Sequence, residues 1–515
     1  MSASTIGIVI IMALYLIMMV AIGASYANKH TDAGDYYLGG RKLGPFVTAM
    51  SAEASDMSSW LLMGLPGLAY LTGIADPGWT AIGLAVGTYL NFLIVARRLR
   101  IYSQKAGNAI TIPDFFNNRF RDKSNALLCI SAIFIVIFFI PYTASGFAAC
   151  GKLFSTLFGI DYMVAMLMSA IIIVAYTALG GFLAASTTDF IQSIVMSLAL
   201  IVVIIFSISQ AGGIDVVMTN AKNLDGFLTL FASHDAVAGS SSNYGALTIV
   251  STMAWGLGYF GMPHILLRFM AIEDDTKLKL SRRVASIWVV ISMAVAIFIG
   301  VIGRSLSKAG IMDTFTSSGD SEKILIKIAT ILSQNGIFGV IFAGIILAGI
   351  LACTMSTADS QLLAASSSIS QNLLRDTFKI KISDEQSVKV ARVTVVGIAI
   401  IAICLATNPD SSVFQIVSFA WAGFGAVFGP IMLFALFWKR TNKAGAFAGM
   451  LSGGIMVFVW KFVVRPMGGI LNIYELLPAF IVSCLFILVI SLVTPAPAKE
   501  ITDEFEAVNA ALKRK

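Results

Sequence analysis

The stretch Gly44-Pro45-Phe46-Val47-Thr48-Ala49-Met50-Ser51-Ala52-Glu53-Ala54-Ser55-Asp56-Met57-Ser58-Ser59-Trp60 decides how this chain folds. It opens an apolar run that continues to about residue 71, long enough to cross about 30 Å of hydrocarbon. Its centre is nevertheless serine-rich and carries Asp56. An acid at mid-membrane costs at least ~2.5 kcal/mol and ordinarily faces a cavity or a partner. Serine hydroxyls compete for backbone hydrogen bonds and loosen a helix. The pattern therefore predicts an interrupted membrane helix whose freed carbonyls can receive a cation. A buried acid that only braces neighbouring helices is the other reading of Asp56.

Outward from this stretch, the whole chain reads as membrane protein. Of its 515 residues, 57% are hydrophobic and 12% charged, against about 25% charged in a soluble globule. Apolar runs of spanning length recur about thirteen times, at 5–26, 44–71, 77–96, 125–157, 161–182, 187–211, 244–271, 284–306, 325–358, 388–407, 412–438, 443–464 and 472–494. The first run lacks a basic leader region, so it reads as a retained helix and not a cleaved signal. Basic residues crowd alternate gaps: Lys29, Arg41 and Lys42; Arg97 to Lys123; Lys277 to Arg283; Arg375 to Arg392; Lys439 to Lys443; and the tail with Lys499, Lys513, Arg514 and Lys515. The other gaps hold little beyond Lys222, Lys308, Lys323 and Arg465. Basic loops stay cytoplasmic, which predicts an outside N-terminus, a cytoplasmic C-terminus and an odd number of spans.

The same facts exclude several functions. The net charge of +7 forms no long basic face, so nucleic acid is not the partner. Cys129, Cys150, Cys353, Cys404 and Cys484 each lie in an apolar run without metal-ligand spacing. His30, His234 and His264 are too scattered for a catalytic or metal cluster. No repeated filter or charged ring suggests a channel. The segments 212–243, an expected external loop, and 495–515, an expected cytoplasmic tail, are too short for a catalytic or signalling domain. A transporter remains, with no enzyme activity and no organic cofactor expected.

The seventh run repeats the feature of the second. It reads Trp255-Gly256-Leu257-Gly258-Tyr259-Phe260-Gly261-Met262-Pro263-His264, and glycines with a proline break the helical ladder. A merely kinked packing helix is the alternative. Each interrupted run begins a block of five, spans 2–6 and 7–11, and five being odd inverts the second block. Paired interruptions in matching places point to a transporter site at the midplane. The ninth run adds Cys353-Thr354-Met355-Ser356-Thr357-Ala358-Asp359-Ser360-Gln361. Ser356 and Thr357 offer neutral hard oxygens, which suit a monovalent cation better than Ca²⁺. Interhelical hydrogen bonding is the alternative use of these hydroxyls. Asp189, in Ser186-Thr187-Thr188-Asp189, is either an N-cap at the sixth span or an inner-side cation ligand.

At these residues the chain resembles the sodium/solute symporter family, and the similarity runs nearly end to end. The stretches that carry it are Gly39-Gly40-Arg41-Lys42-Leu43-Gly44-Pro45-Phe46, Ser55 to Gly67, Trp255 to His264 and Ala420-Trp421-Ala422-Gly423-Phe424-Gly425. The resemblance implies an all-α polytopic protein with a leucine-transporter-like core of two inverted five-helix repeats, at 44–211 and 244–438. Peripheral helices at 5–26 and 443–494 complete a single transporter domain.

The resemblance also implies Na⁺-coupled import of L-proline across a bacterial cytoplasmic membrane by alternating access. Na⁺- or H⁺-coupled uptake of another small amino acid or carboxylate is the alternative. Na⁺ would be held by carbonyls of Ala54, Met57 and Cys353 with the hydroxyls of Ser356 and Thr357. Substrate positions would be Ser58, Trp60, Gly64, Tyr142, Trp255, Tyr259 and Pro263, where aromatic walls suit an apolar ring. Asp56, Asp189, Asp359 and Ser360 would serve coupling or a second cation, and Arg41 and Phe46 gating. Glu53, Met262, Cys353 and Asp359 depart from the family pattern and leave the ion stoichiometry open.

Overall fold

The structure is a computed structural model that describes residues 2–26, 33–381 and 383–513. Lys29, His30, Arg514 and Lys515 lie outside the described residues. Among the described residues, ten helices are long and apolar enough to cross a membrane, beginning with Ala3–Tyr26 and ending with Leu476–Val493. The other three runs hold the shorter apolar helices Trp60–Thr72, Tyr162–Ala178 and Ala246–Phe260. Large apolar side chains such as Ile17, Ile171, Ile287 and Val393 face outward from the bundle, a surface suited to lipid.

Both interrupted runs are broken where their sequences loosen. In the second, Pro45–Asp56 is α-helical with proline at its first position, and Met57 leaves the helix at ψ 66°. The chain resumes as a π-helical turn over Trp60–Gly64 and then as Leu65–Thr72. In the seventh, Ala246–Met253 tightens into a 3₁₀ stretch over Ala254–Phe260. Met262 is extended, and Pro263 starts the helix Pro263–Ala271, where its missing N–H costs nothing. The start of the second span and the end of the seventh are stitched together: Leu43 N–H donates to Ala271 O (3.1 Å) and Glu273 N–H to Leu43 O (3.0 Å).

Three expectations change. Spans five and six are two helices, Tyr162–Ala178 and Gly180–Gln210, that meet at a sharp kink at Gly181 (φ +64°) and not through a loop at 183–186, a conformation glycine adopts without penalty. Asp189 therefore lies within a helix and is not its N-cap. Thr188 Oγ1 donates back to Ala184 O, as an interior residue does. The ninth span begins at Gly336 and not near 325, and its α-helix Gly336–Ser367 runs on in π-helical form to Thr377. Ile324–Leu332 is a separate short helix, apolar because most of its side chains are buried against the bundle. The segment 212–243 also has structure of its own, a helix Ile214–Lys222 and an antiparallel hairpin pairing Ala232–Asp235 with Ser240–Asn243. The tail forms the helix Lys499–Lys513, with Phe505 and Val508 buried.

Candidate cation and solute site

The break in the second span faces the middle of the ninth. Ser356 Oγ donates to the carbonyl of Ala54 (2.7 Å) and lies 3.2 Å from the carbonyl of Cys353. Thr357 Oγ1 lies 3.1 Å from Cys353 O and 3.5 Å from Ala54 O. Two carbonyls and two hydroxyls thus converge, all fully or nearly fully buried. The hydroxyls donate their protons to the carbonyls. A hydroxyl can also rotate to offer its lone pairs to a cation. Such a neutral oxygen set suits a monovalent hard cation. Met57, the fifth expected contributor, is buried at the break itself.

The aromatic positions meet on the other side of the same break. Trp60 Nε1 and Tyr142 OH both donate to the Asp56 carbonyl, at 3.2 and 3.3 Å. Tyr259 OH donates to the Asp56 carboxylate at 2.5 Å. Asp56 therefore joins the second, fourth and seventh spans. Trp255 lies between Trp60, with ring centroids 6.3 Å apart, and Trp421, at 6.2 Å. Ser58 accepts from Trp60 N–H, and Pro263 starts the helix after the break in span seven. A Cβ on Gly64 would sit 3.1 Å from Phe414 Cβ, so glycine there keeps the wall thin.

Sequence reasoning did not single out Trp421, Phe414 or Tyr474 as site residues. Trp421 Nε1 donates to Trp255 O at 2.7 Å. It also packs so closely on Gly258 that a Cβ there would fall 2.0 Å from Trp421 Nε1. Phe414 packs on the Trp255 ring in a tilted contact at 5.4 Å, and Tyr474 stacks on it at 5.2 Å. Trp421 stands inside one of the quoted signature stretches. The other two come from distant parts of the chain and carry no local mark.

Asp189, Asp359 and Ser360 also come together, around a cation the sequence reading missed. The Arg268 guanidinium is buried and reaches Asp189 Oδ2 (3.0 Å), Ser360 Oγ (2.5 Å), Ser51 Oγ (2.9 Å) and His264 O (2.8 Å). Ser51 Oγ donates to Asp189 at 2.7 Å. Asp359 accepts from Tyr176 OH (2.6 Å) and from Ser360 Oγ (3.2 Å). One side chain of the seventh span thereby ties together the second, sixth and ninth. The signal was available: an arginine amid Leu266, Leu267, Phe269 and Met270 is as costly in an apolar helix as Asp56.

The two gating candidates lie elsewhere. Arg41 donates to Met270 O (2.6 Å) and Ala109 O (2.8 Å), beside the stitch that joins the broken spans. Phe46 is 52% exposed on the outside of the bundle and touches none of these groups in a ring contact. A cavity of about 650 Å³ opens over the aromatic cluster, lined by Gly64, Phe414, Glu322, Ser412, Ser418 and Arg465 among others. It faces the side of the loops that are poor in basic residues.

A family model described as the sodium:solute symporter family matches residues 36–453. The chain belongs to that family. It is 41% identical over 512 residues to the osmoregulated proline transporter OpuE of Bacillus subtilis (strain 168), covering 99% of this chain and 100% of that one. It is 39% identical over 518 residues to a sodium/proline symporter of Staphylococcus aureus, covering 98% and 96%. Among solved structures, a substrate-bound, outward-open Na⁺-coupled sialic acid symporter superimposes with a TM-score of 0.78 at 18% identity, over 96% of this chain and 99% of that one. Mhp1, a nucleobase-cation-symport-1 family transporter, in a closed conformation, gives 0.52 at 14% identity, over 92% and 98%. At such identities the structural likeness speaks for the fold alone, and that fold is leucine-transporter-like.

Proposed function

We propose that this family member imports L-proline together with Na⁺ by alternating access. The observation that carries the reading is the convergence of the Ala54 and Cys353 carbonyls with the Ser356 and Thr357 hydroxyls beside the aromatic cluster. Relatives near 40% identity over almost the full chain, named for proline transport, support the cargo.

The chain's own residues suggest the order of events. Na⁺ binds between the break at Met57 and the ninth span, replacing the hydroxyl-to-carbonyl bonds. It thereby fixes the carbonyl end of the helix Pro45–Asp56 and the loop that aims Trp60. Proline then enters from the vestibule and sets its ring against Trp60, Trp255 and Tyr259, with Tyr142 and Ser58 offering hydroxyls. Its ammonium suits the aromatic faces and its carboxylate the hydroxyl and loosened backbone donors. The Arg268 knot holds the opposite side closed in this state, and alternating access requires it to part.

Thirteen crossings, repeats at 44–211 and 244–438, and a cytoplasmic C-terminus complete the reading. The charge asymmetry of the loops supports that orientation. The coupling is reciprocal: Na⁺ must tighten proline by the factor by which proline tightens Na⁺. The test is uptake of labelled proline into proteoliposomes under an imposed Na⁺ gradient, with a panel of unlabelled amino acids and small carboxylates as competitors. Proline should compete best and uptake should collapse without the gradient. Failure of proline to compete refutes the cargo, and uptake driven equally by a proton gradient refutes the ion.

A further inference from the structure

Glu53 is fully buried, and neither of its carboxylate oxygens has a hydrogen-bond partner. One helical turn later, Asp56 Oδ1 is likewise buried and unpartnered, while its other oxygen accepts from Tyr259. Glu53 and Asp56 both lie in the helix Pro45–Asp56, and residues three apart on an α-helix are neighbours on its surface, with Cβ atoms about 5–6 Å apart. Three buried carboxylate oxygens without a hydrogen-bond partner thus stand within one turn of each other at the broken end of one helix. A lone buried carboxylate is strongly unfavourable unless something compensates it.

Other buried charges of the described residues do find partners. Lys152 pairs with Glu322, Glu475 with Arg465 and Lys461, and Asp122 with Lys443. Arg119 and Arg100 donate to backbone carbonyls at one end of the bundle. What remains around the two breaks is Glu53, Asp56, Asp189 and Asp359 against the single guanidinium of Arg268. Arg268 is committed to Asp189 and Ser360, and Asp359 has hydroxyl donors on both oxygens. The place where a second cation was expected, around Asp189, Asp359 and Ser360, therefore already holds a tethered one. Of these four acids, Glu53 alone has no hydrogen-bond or ion-pair partner on either oxygen, and Asp56 has a free oxygen at the same break.

We infer that Glu53 and Asp56 together bind a second Na⁺ ion, separate from the one assigned to the carbonyl and hydroxyl cluster, an inference that rests on the Na⁺-coupling reading. Glu53 can offer both oxygens and Asp56 its free one, a hard anionic set. The first site has only neutral ligands, so the two differ in kind. The second ion leaves Asp56 bonded to Tyr259 and so couples its occupancy to the position of the seventh span.

The test counts bound Na⁺ by radiolabelled Na⁺ binding to the purified full-length protein, without proline. The wild type should bind two ions per chain, Glu53→Gln one, and the double variant Ser356→Ala/Thr357→Ala one. Glu53→Asp, which keeps the charge but shortens the arm, should bind two with the second weakened severalfold; it keeps the inference testable if Glu53→Gln does not fold. One ion in the wild type, or two retained in Glu53→Gln, overturns the inference. Two ions retained in Ser356→Ala/Thr357→Ala, with one lost in Glu53→Gln, overturns the hydroxyl site and leaves the carboxylate site standing.

Discussion

Replacing Arg268 by glutamine should loosen one side of the transporter without unfolding it. The substitution removes the 3.0 Å ion pair to Asp189 and the bonds to Ser51 and Ser360. Asp189 would be left buried with Ser51 as its remaining donor, since its Oδ1 already has none. Breaking a buried pair by deleting one partner costs about 3–5 kcal/mol, or roughly two to four factors of ten in an equilibrium. Because the knot joins four spans at one point, the cost falls on the closed arrangement of that side. Hydrogen exchange in Pro263–Ala271 and around Asp189 should speed up by a comparable factor while the vestibule-side helix Ile324–Leu332 exchanges as before. Adding Asp189→Asn should restore part of the protection, because it removes the orphaned charge along with its partner. Unchanged exchange at the knot, or a uniform rise along the chain, would refute the assignment of Arg268 as the element that holds this side shut.

Other expectations are simpler to check. Ser356→Ala or Thr357→Ala should raise the Na⁺ concentration needed for half-maximal proline uptake about tenfold, the worth of one charge-assisted oxygen contact of about 1.5 kcal/mol; an unchanged requirement in both removes them from the site. Gly258→Ala should abolish uptake in a protein that still reaches the membrane, since its Cβ would overlap Trp421 Nε1 at 2.0 Å. Gly64→Ala, with 3.1 Å to Phe414 Cβ, should only lower uptake. Trp421→Phe keeps the ring but loses the bond to Trp255 O, so half-saturation by proline should rise severalfold with little change in Na⁺ dependence. Truncation after residue 498 removes ion pairs such as Arg121 with Glu500; exposed pairs contribute about 0–1 kcal/mol each, so uptake should persist with a slightly lower melting temperature.

Most of the membrane architecture was legible because lipid imposes a length and a composition that residues report one by one. The break at Asp56 was legible because an acid and serines are out of place there, and the break at Gly261 because glycine and proline act locally. Arg268 broke the same rule as Asp56 and was passed over beside a nearby loop. Ile324–Leu332 misled for the opposite reason: burial against protein selects the same apolar residues as burial in lipid. Phe414 and Tyr474 could not have been found, since what brings them to Trp255 is packing between spans far apart in the chain. Glu53 was visible only as a departure from a family pattern, and its meaning depends on which oxygens lack partners.

The C-terminal helix has a consequence in time. Its Glu500 and Glu504 pair with Arg121, Glu506 pairs with Lys439, and Asn509 bonds Arg98. A ribosome makes every one of those basic residues before it makes the residues that later cover them. While the spans are being threaded into the bilayer, the cations are bare and their full charge is there to be read. Once residues 499–513 emerge, those charges acquire their partners.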